Sequence, residues 1–90
     1  MKISDKRKER IFEQILAHLY QESPKSLYTS HIAQELARDE EFIKRLLIEL
    51  KQKKLIIEVK KNSQGIPYIR RSRWKLSEGV YNAYKKLNSF

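Results

Sequence analysis

The sequence contains no cysteine, which excludes a disulfide framework, a cysteine-ligated zinc site and a thiol nucleophile. It has only two glycines and two prolines, and neither a Gly-rich phosphate loop nor a nucleophile elbow is found. No apolar run approaches the roughly 18–20 residues that span a bilayer, and residues 1–10 are too polar to hold the hydrophobic stretch of a secretory signal. A soluble, cytoplasmic protein without membrane contact is the expectation. The two histidines, His18 and His31, lack the three- or four-residue spacing of helical metal ligands, so no metal and no other cofactor is predicted. The acidic run Asp39-Glu40-Glu41 is explained by a helix start, and an enzyme is not expected.

Acidic residues are nearly missing from one stretch. Residues 1–50 hold as many Asp and Glu as Lys and Arg, whereas residues 51–75 hold nine basic residues against Glu58 alone. The net charge of +9 therefore belongs almost wholly to one segment. Interspersed charges would keep a surface soluble equally well, so the segregation points to a polyanionic partner, of which nucleic acid is the commonest.

Ninety residues with 40% apolar and 34% charged side chains fit one domain, 1–90, with a thin core. Ile11, Phe12, Ile15, Leu16, Leu19 and Tyr20 recur at helical spacing and predict a first helix from about Ser4 to Gln21. After a loop at 22–26 and a short extended connector, Leu27-Tyr28, Thr29 is placed to cap a short second helix with Ile32, Ala33 and Leu36 inward. Asp39 caps a third helix to about Lys53, with Ile43, Leu47 and Leu50 inward, helped by Phe42 and Leu46, and with Lys44, Arg45, Ile48 and Gln52 nearer the outer face. The period then becomes alternating: Leu55, Ile57 and Val59 share one side of a strand and Ile56, Glu58 and Lys60 the other. A turn at 62–65 and a second alternating run to Leu76 complete a β-hairpin, and Ser77 opens a last helix with Val80, Ala83, Tyr84 and Leu87 at helical spacing.

The runs Thr29-Ser30-His31-Ile32-Ala33-Gln34-Glu35-Leu36, Ile43-Lys44-Arg45-Leu46-Leu47-Ile48-Glu49-Leu50 and Lys53-Lys54-Leu55-Ile56, followed by Leu76-Ser77-Glu78-Gly79, resemble the winged helix-turn-helix domains of small MarR- and PadR-type transcriptional regulators. The resemblance implies an α+β fold with a three-helix core, a two-stranded wing and a C-terminal helix. It also implies binding of double-stranded DNA, with the third helix in the major groove and the wing on backbone or minor groove. Two features depart from the pattern. Lys54 stands where such regulators usually have glycine, and Asp39, Glu40 and Glu41 put carboxylates at the groove-facing start of the third helix.

Lys and Arg gain affinity for DNA by replacing condensed counterions, and Lys60, Lys61, Arg70, Arg71, Arg73 and Lys75 are placed on the hairpin to do so. A solvated strand face with lysines blunting the sheet edge is the plainer alternative. Lys44 and Arg45 are either groove contacts or an ordinary exposed helix face. Thr29, Ser30 and His31 either hold a phosphate at a helix start or simply cap it. Tyr68 near the wing tip is a candidate for sugar or phosphate contact, while Trp74 shares strand parity with Leu76 and is expected to anchor the core rather than stack on a base. Tyr81, Tyr84, Leu87 and Phe90, with Phe12 or Tyr20, offer surplus apolar area, and a homodimer through the terminal helices is expected. A sequence-selective regulator is the favoured function. A nonspecific architectural or replication-associated DNA binder and a winged-helix protein adaptor are the rivals.

Overall fold

The computed structural model describes residues 5–59 and 72–88. Within them run α1 (Asp5–Gln21), β1 (Leu27–Tyr28), α2 (Thr29–Glu35), α3 (Glu40–Gln52), β2 (Ile56–Val59), β3 (Arg73–Leu76) and α4 (Glu78–Leu87). The helical periods of the sequence produce α1 and α3 by presenting Ile11, Phe12, Ile15 and Leu19 to Ile43, Leu46, Leu47 and Leu50. Ile32 and Ala33 of α2 join the same core. Burial of such side chains, at roughly 1.5–3 kcal/mol each, is what holds the short α2 in place, because a seven-residue helix is not stable alone.

The sheet is antiparallel, in the order β1-β3-β2. The expected hairpin is present at its base, with Ile56 opposite Leu76 and Val59 opposite Arg73; its tip lies outside the described residues. Leu27-Tyr28 is more than a connector. It pairs with β3, Leu27 opposite Trp74 and Tyr28 opposite Arg73, so β3 is the central strand and ties the α1–α2 corner to the wing. In β2 the side rich in apolar residues is not the buried one: Ile56 is enclosed and Ile57 is exposed. The inward partner of Trp74 and Leu76 has to be Ile56, because both strands direct one parity at the helices.

Trp74 and Leu76 are buried as their parity requires, and the Trp74 indole N–H donates to the Thr29 hydroxyl at 2.8 Å. This corrects the expected role of Thr29. Tyr28 occupies the cap position of α2 and no side chain caps that end, since the Thr29 oxygen is engaged by the core tryptophan. Asp39 does cap α3, its carboxylate accepting from the Phe42 amide at 3.1 Å. Ser77 holds the cap position of α4 without a side-chain bond. Ser4, the expected start of α1, lies outside the described residues.

Both helices of the helix-turn-helix end in the same way. At α2 the Arg38 amide donates to the Ala33 carbonyl and Ala37 to Gln34, with Ala37 at φ 52°; at α3 Leu55 donates to Leu50 and Lys54 to Lys51, with Lys54 at φ 63°. These are Schellman endings built on left-handed residues that carry a side chain. Lys54 stands at a position where glycine is usual, and the backbone takes the left-handed conformation nonetheless. A left-handed L-residue costs roughly 1–2 kcal/mol, partly offset in a glycine by its larger loss of chain entropy. Ala37→Gly and Lys54→Gly are each expected to raise stability by about 0.5–1 kcal/mol, measured by thermal unfolding.

α4 rests on the surface of this core. It contributes no fully buried residue; Val80, Tyr81 and Tyr84 pack against the core from outside, while Ala83 and Leu87, which share the helical spacing of Val80 and Tyr84, are exposed. Tyr20 of α1 meets Tyr81 and Tyr84 with ring centroids 5.7 and 5.3 Å apart, the second pair stacked. Burial, with a smaller contribution from the Glu13 carboxylate, holds the Tyr84 phenol above its ordinary pKa. Of the surplus aromatic and apolar residues in the sequence, Phe12 is in the core, Tyr20, Tyr81 and Tyr84 pack half-buried against it, Leu87 stays 68% exposed, and Phe90 lies outside the described residues.

Candidate nucleic-acid interface

The turn between α2 and α3 sets the start of each helix beside the root of the wing. Tyr28, Thr29 and Ser30 from the first, Glu40, Glu41 and Lys44 from the second, and Ser72 from the wing line one cleft of about 230 Å³. Three candidates from the sequence, Thr29, Ser30 and Lys44, are therefore neighbours here. Arg73 is not among these lining residues; its guanidinium carbon stands 5.9 Å from the centre of the ring of Tyr28, opposite which it pairs on β3. Tyr28 and Ser72 were not singled out in the sequence, although Tyr28 directly precedes a recognisable helix start.

Along α3 the buried line Ile43, Leu46, Leu47 and Leu50 fixes the rotation of the helix. At 100° per residue, Glu41, Arg45, Ile48 and Gln52 then fall on the opposite, outward line, and all four are exposed. Lys44 and Lys51 flank that line on the wing side. Lys51 Nζ donates to Glu58 Oε1 of β2 at 2.8 Å, and Ser72 Oγ donates to the other oxygen of the same carboxylate. Glu49 and Lys53 flank it on the α1 side, where Lys8 pairs with Glu49 at 2.7 Å and both Lys8 and Lys53 stand over the Phe12 ring.

The basic segment is therefore divided. Lys51 balances Glu58 and Lys53 leans on α1. Lys75 lies away from the cleft, in a groove with Ser23, Pro24, Ile57, Leu76, Glu78 and Tyr81. His31 is exposed and its ring is 6.2 Å from that of His18, an approach that their separation in sequence did not indicate. Lys60, Lys61, Tyr68, Arg70 and Arg71 lie outside the described residues. Among the described residues no group of three or more metal-ligating side chains occurs, and no helix is long and apolar enough to cross a membrane.

Three helices, a fourth packed on the outside of their core and an antiparallel sheet whose β2 lies beside the third helix define a winged helix-turn-helix domain. The solved structures to which it is similar are MarR-type transcription regulators. One is MepR of S. aureus in complex with DNA, 27% identical, matched over 94% of this chain and 69% of that one, with a TM-score of 0.69. The Streptomyces coelicolor regulator PcaV in complex with its natural ligand is 19% identical over 94% of this chain and 52% of that one, with a TM-score of 0.62. ZitR of Lactococcus lactis, as an E41A mutant, is 18% identical over 97% of this chain and 51% of that one, with a TM-score of 0.63. The chain spans about half to two thirds of the length of these proteins. Neither a family model nor a curated protein matches the sequence.

Proposed function

We propose that this domain binds double-stranded DNA as a sequence-selective transcriptional regulator, with α3 in the major groove and the wing on backbone or minor groove. The observation that carries the reading is the outward line of α3, exposed along its length and bordered by the cleft that Thr29, Ser30 and Lys44 line together with Glu40 and Glu41. A helix presented in this way fits the major groove, and the hydroxyls and cations at its side are suited to phosphates. The fold shared with DNA-bound MepR supports the DNA-binding part of the reading. Lys60, Lys61, Tyr68, Arg70 and Arg71 extend the contact along the wing. Lys75, in its separate groove, belongs to the α4 side and contributes long-range charge rather than direct contact. His31 and Arg45 border the surface and contact backbone and bases respectively.

A homodimer joined through α1 and α4 completes the proposal. Leu87 and Ala83 leave an apolar strip on α4 that nothing among the described residues covers, and twofold symmetry would place two copies of α3 on successive turns of the major groove. Selection of binders from a pool of random duplexes tests the whole reading. Enrichment of an inverted repeat is the expected result; uniform recovery of all sequences would instead mean an architectural binder, and no retention of DNA would leave a protein adaptor.

A further inference from the structure

We propose that Ile48 reads the C5-methyl group of a thymine, which makes it a specificity-determining residue of α3; the inference rests on the DNA-binding reading above. The other apolar residues of α3 are packed against the core, whereas Ile48 is 41% exposed. Its place on the helix is central to the candidate interface. The flank on one side is occupied by the wing, through Lys51 on Glu58 and Lys44 in the cleft with Ser72, and the flank on the other by α1, through Lys8 on Glu49 and Lys53 over Phe12. Between these flanks runs the strip Glu41, Arg45, Ile48 and Gln52, with Ile48 at its middle, and no described element covers it.

Helix stability does not account for isoleucine at this point, because an exposed helical position favours alanine or a long polar side chain over a β-branched one. Nor can the side chain serve phosphate, since it has no polar atom. In the major groove, however, one base displays an apolar group, the thymine methyl, and side chains without polar atoms are its natural partners. The stiff χ1 of a β-branched residue fixes where the Ile48 methyls point before DNA arrives. Arg45 and Gln52, about one helical turn to either side, carry the hydrogen-bonding forks that suit guanine and adenine, so the strip combines two polar readers around one apolar reader. Pairing one methyl with Ile48 removes apolar surface from water and is worth about a three- to tenfold gain in affinity over a base without it.

The test uses the duplex enriched by wild-type protein in the selection, remade with uracil replacing each thymine in turn, so that a methyl is removed and base pairing kept. At one thymine in each half-site the change is expected to weaken wild-type binding about three- to tenfold while leaving the affinity of Ile48→Ala unaltered. The substitution falls on an exposed helix face, and a melting temperature no lower than that of the wild type confirms that the variant is folded. An enriched duplex in which no uracil weakens binding, or in which the loss persists undiminished in Ile48→Ala, overturns the inference while the DNA-binding reading stands. A selection that retains no duplex overturns both.

Discussion

Replacing Arg70, Arg71 and Arg73 together by alanine is expected to lower affinity for duplex DNA by about a hundredfold at 0.15 M salt, and to do so almost equally for every sequence. The size follows from counterion release. Each phosphate neutralised on B-DNA contributes roughly 0.9 to the slope of log affinity against log salt, which near 0.15 M is about a fivefold gain for each contact and more than a hundredfold for three. The uniformity follows from what is touched, because phosphates position a protein and carry no base identity. The duplex enriched in a selection should therefore be the same for the variant as for the wild type, only more weakly held. Arg73 also packs over the Tyr28 ring with its Nε buried, so thermal unfolding of the variant separates loss of that packing from loss of charge. A variant that lost affinity for one sequence and kept it for others would mean that these arginines read bases.

The second large effect is on the fold. Trp74→Ala is expected to cost about 3–5 kcal/mol, against a total of roughly 5–13 kcal/mol for a domain of this length, and so to lower the melting temperature by about 15–35 °C. Trp74 is 1% exposed on the central strand, between Leu27 and Glu58 in register, and its removal opens the core where sheet and helices meet. Thr29→Val separates the two contributions of this residue. It keeps the packing but leaves the indole N–H without its acceptor, at about 1–3 kcal/mol. If thermal unfolding showed Thr29→Val to be neutral, the Trp74–Thr29 bond would have no part in holding the wing to α2.

The helices were legible because their signals are local. Periodic apolar residues gave α1 and α3 their faces, Asp39 stood three residues before the amide it accepts from, and the parity of Trp74 with Leu76 told inside from outside on β3. Distant partners were not legible in this way. Thr29 looked like a helix cap because capping is the local use of threonine, yet its actual partner lies 45 positions along the chain. Leu27-Tyr28 is too short to show a period, so only pairing with β3 identifies it as a strand. Ile56 and Ile57 are identical in chemistry, and the sequence could not say which the core would take.

The candidate site divides along the same line. Charge alone marked residues 51–75 as the basic region, but charge does not reveal direction. Lys51 turns to Glu58, Lys53 to Phe12, Arg73 to the Tyr28 ring and Lys75 to the α4 groove, while Thr29, Ser30 and Lys44 converge on one cleft. Ile48 was legible as an outward residue of α3, and its significance emerged once both flanks of the helix were seen to be filled.

Titration of duplex affinity against salt, for the wild-type protein beside the triple arginine variant, tests most directly whether the positive excess works through phosphates. About five neutralised phosphates predict a slope of roughly −4 to −5 for the wild type and one shallower by about three for the variant. Identical slopes for the two proteins, or a wild-type slope near zero, would contradict the account.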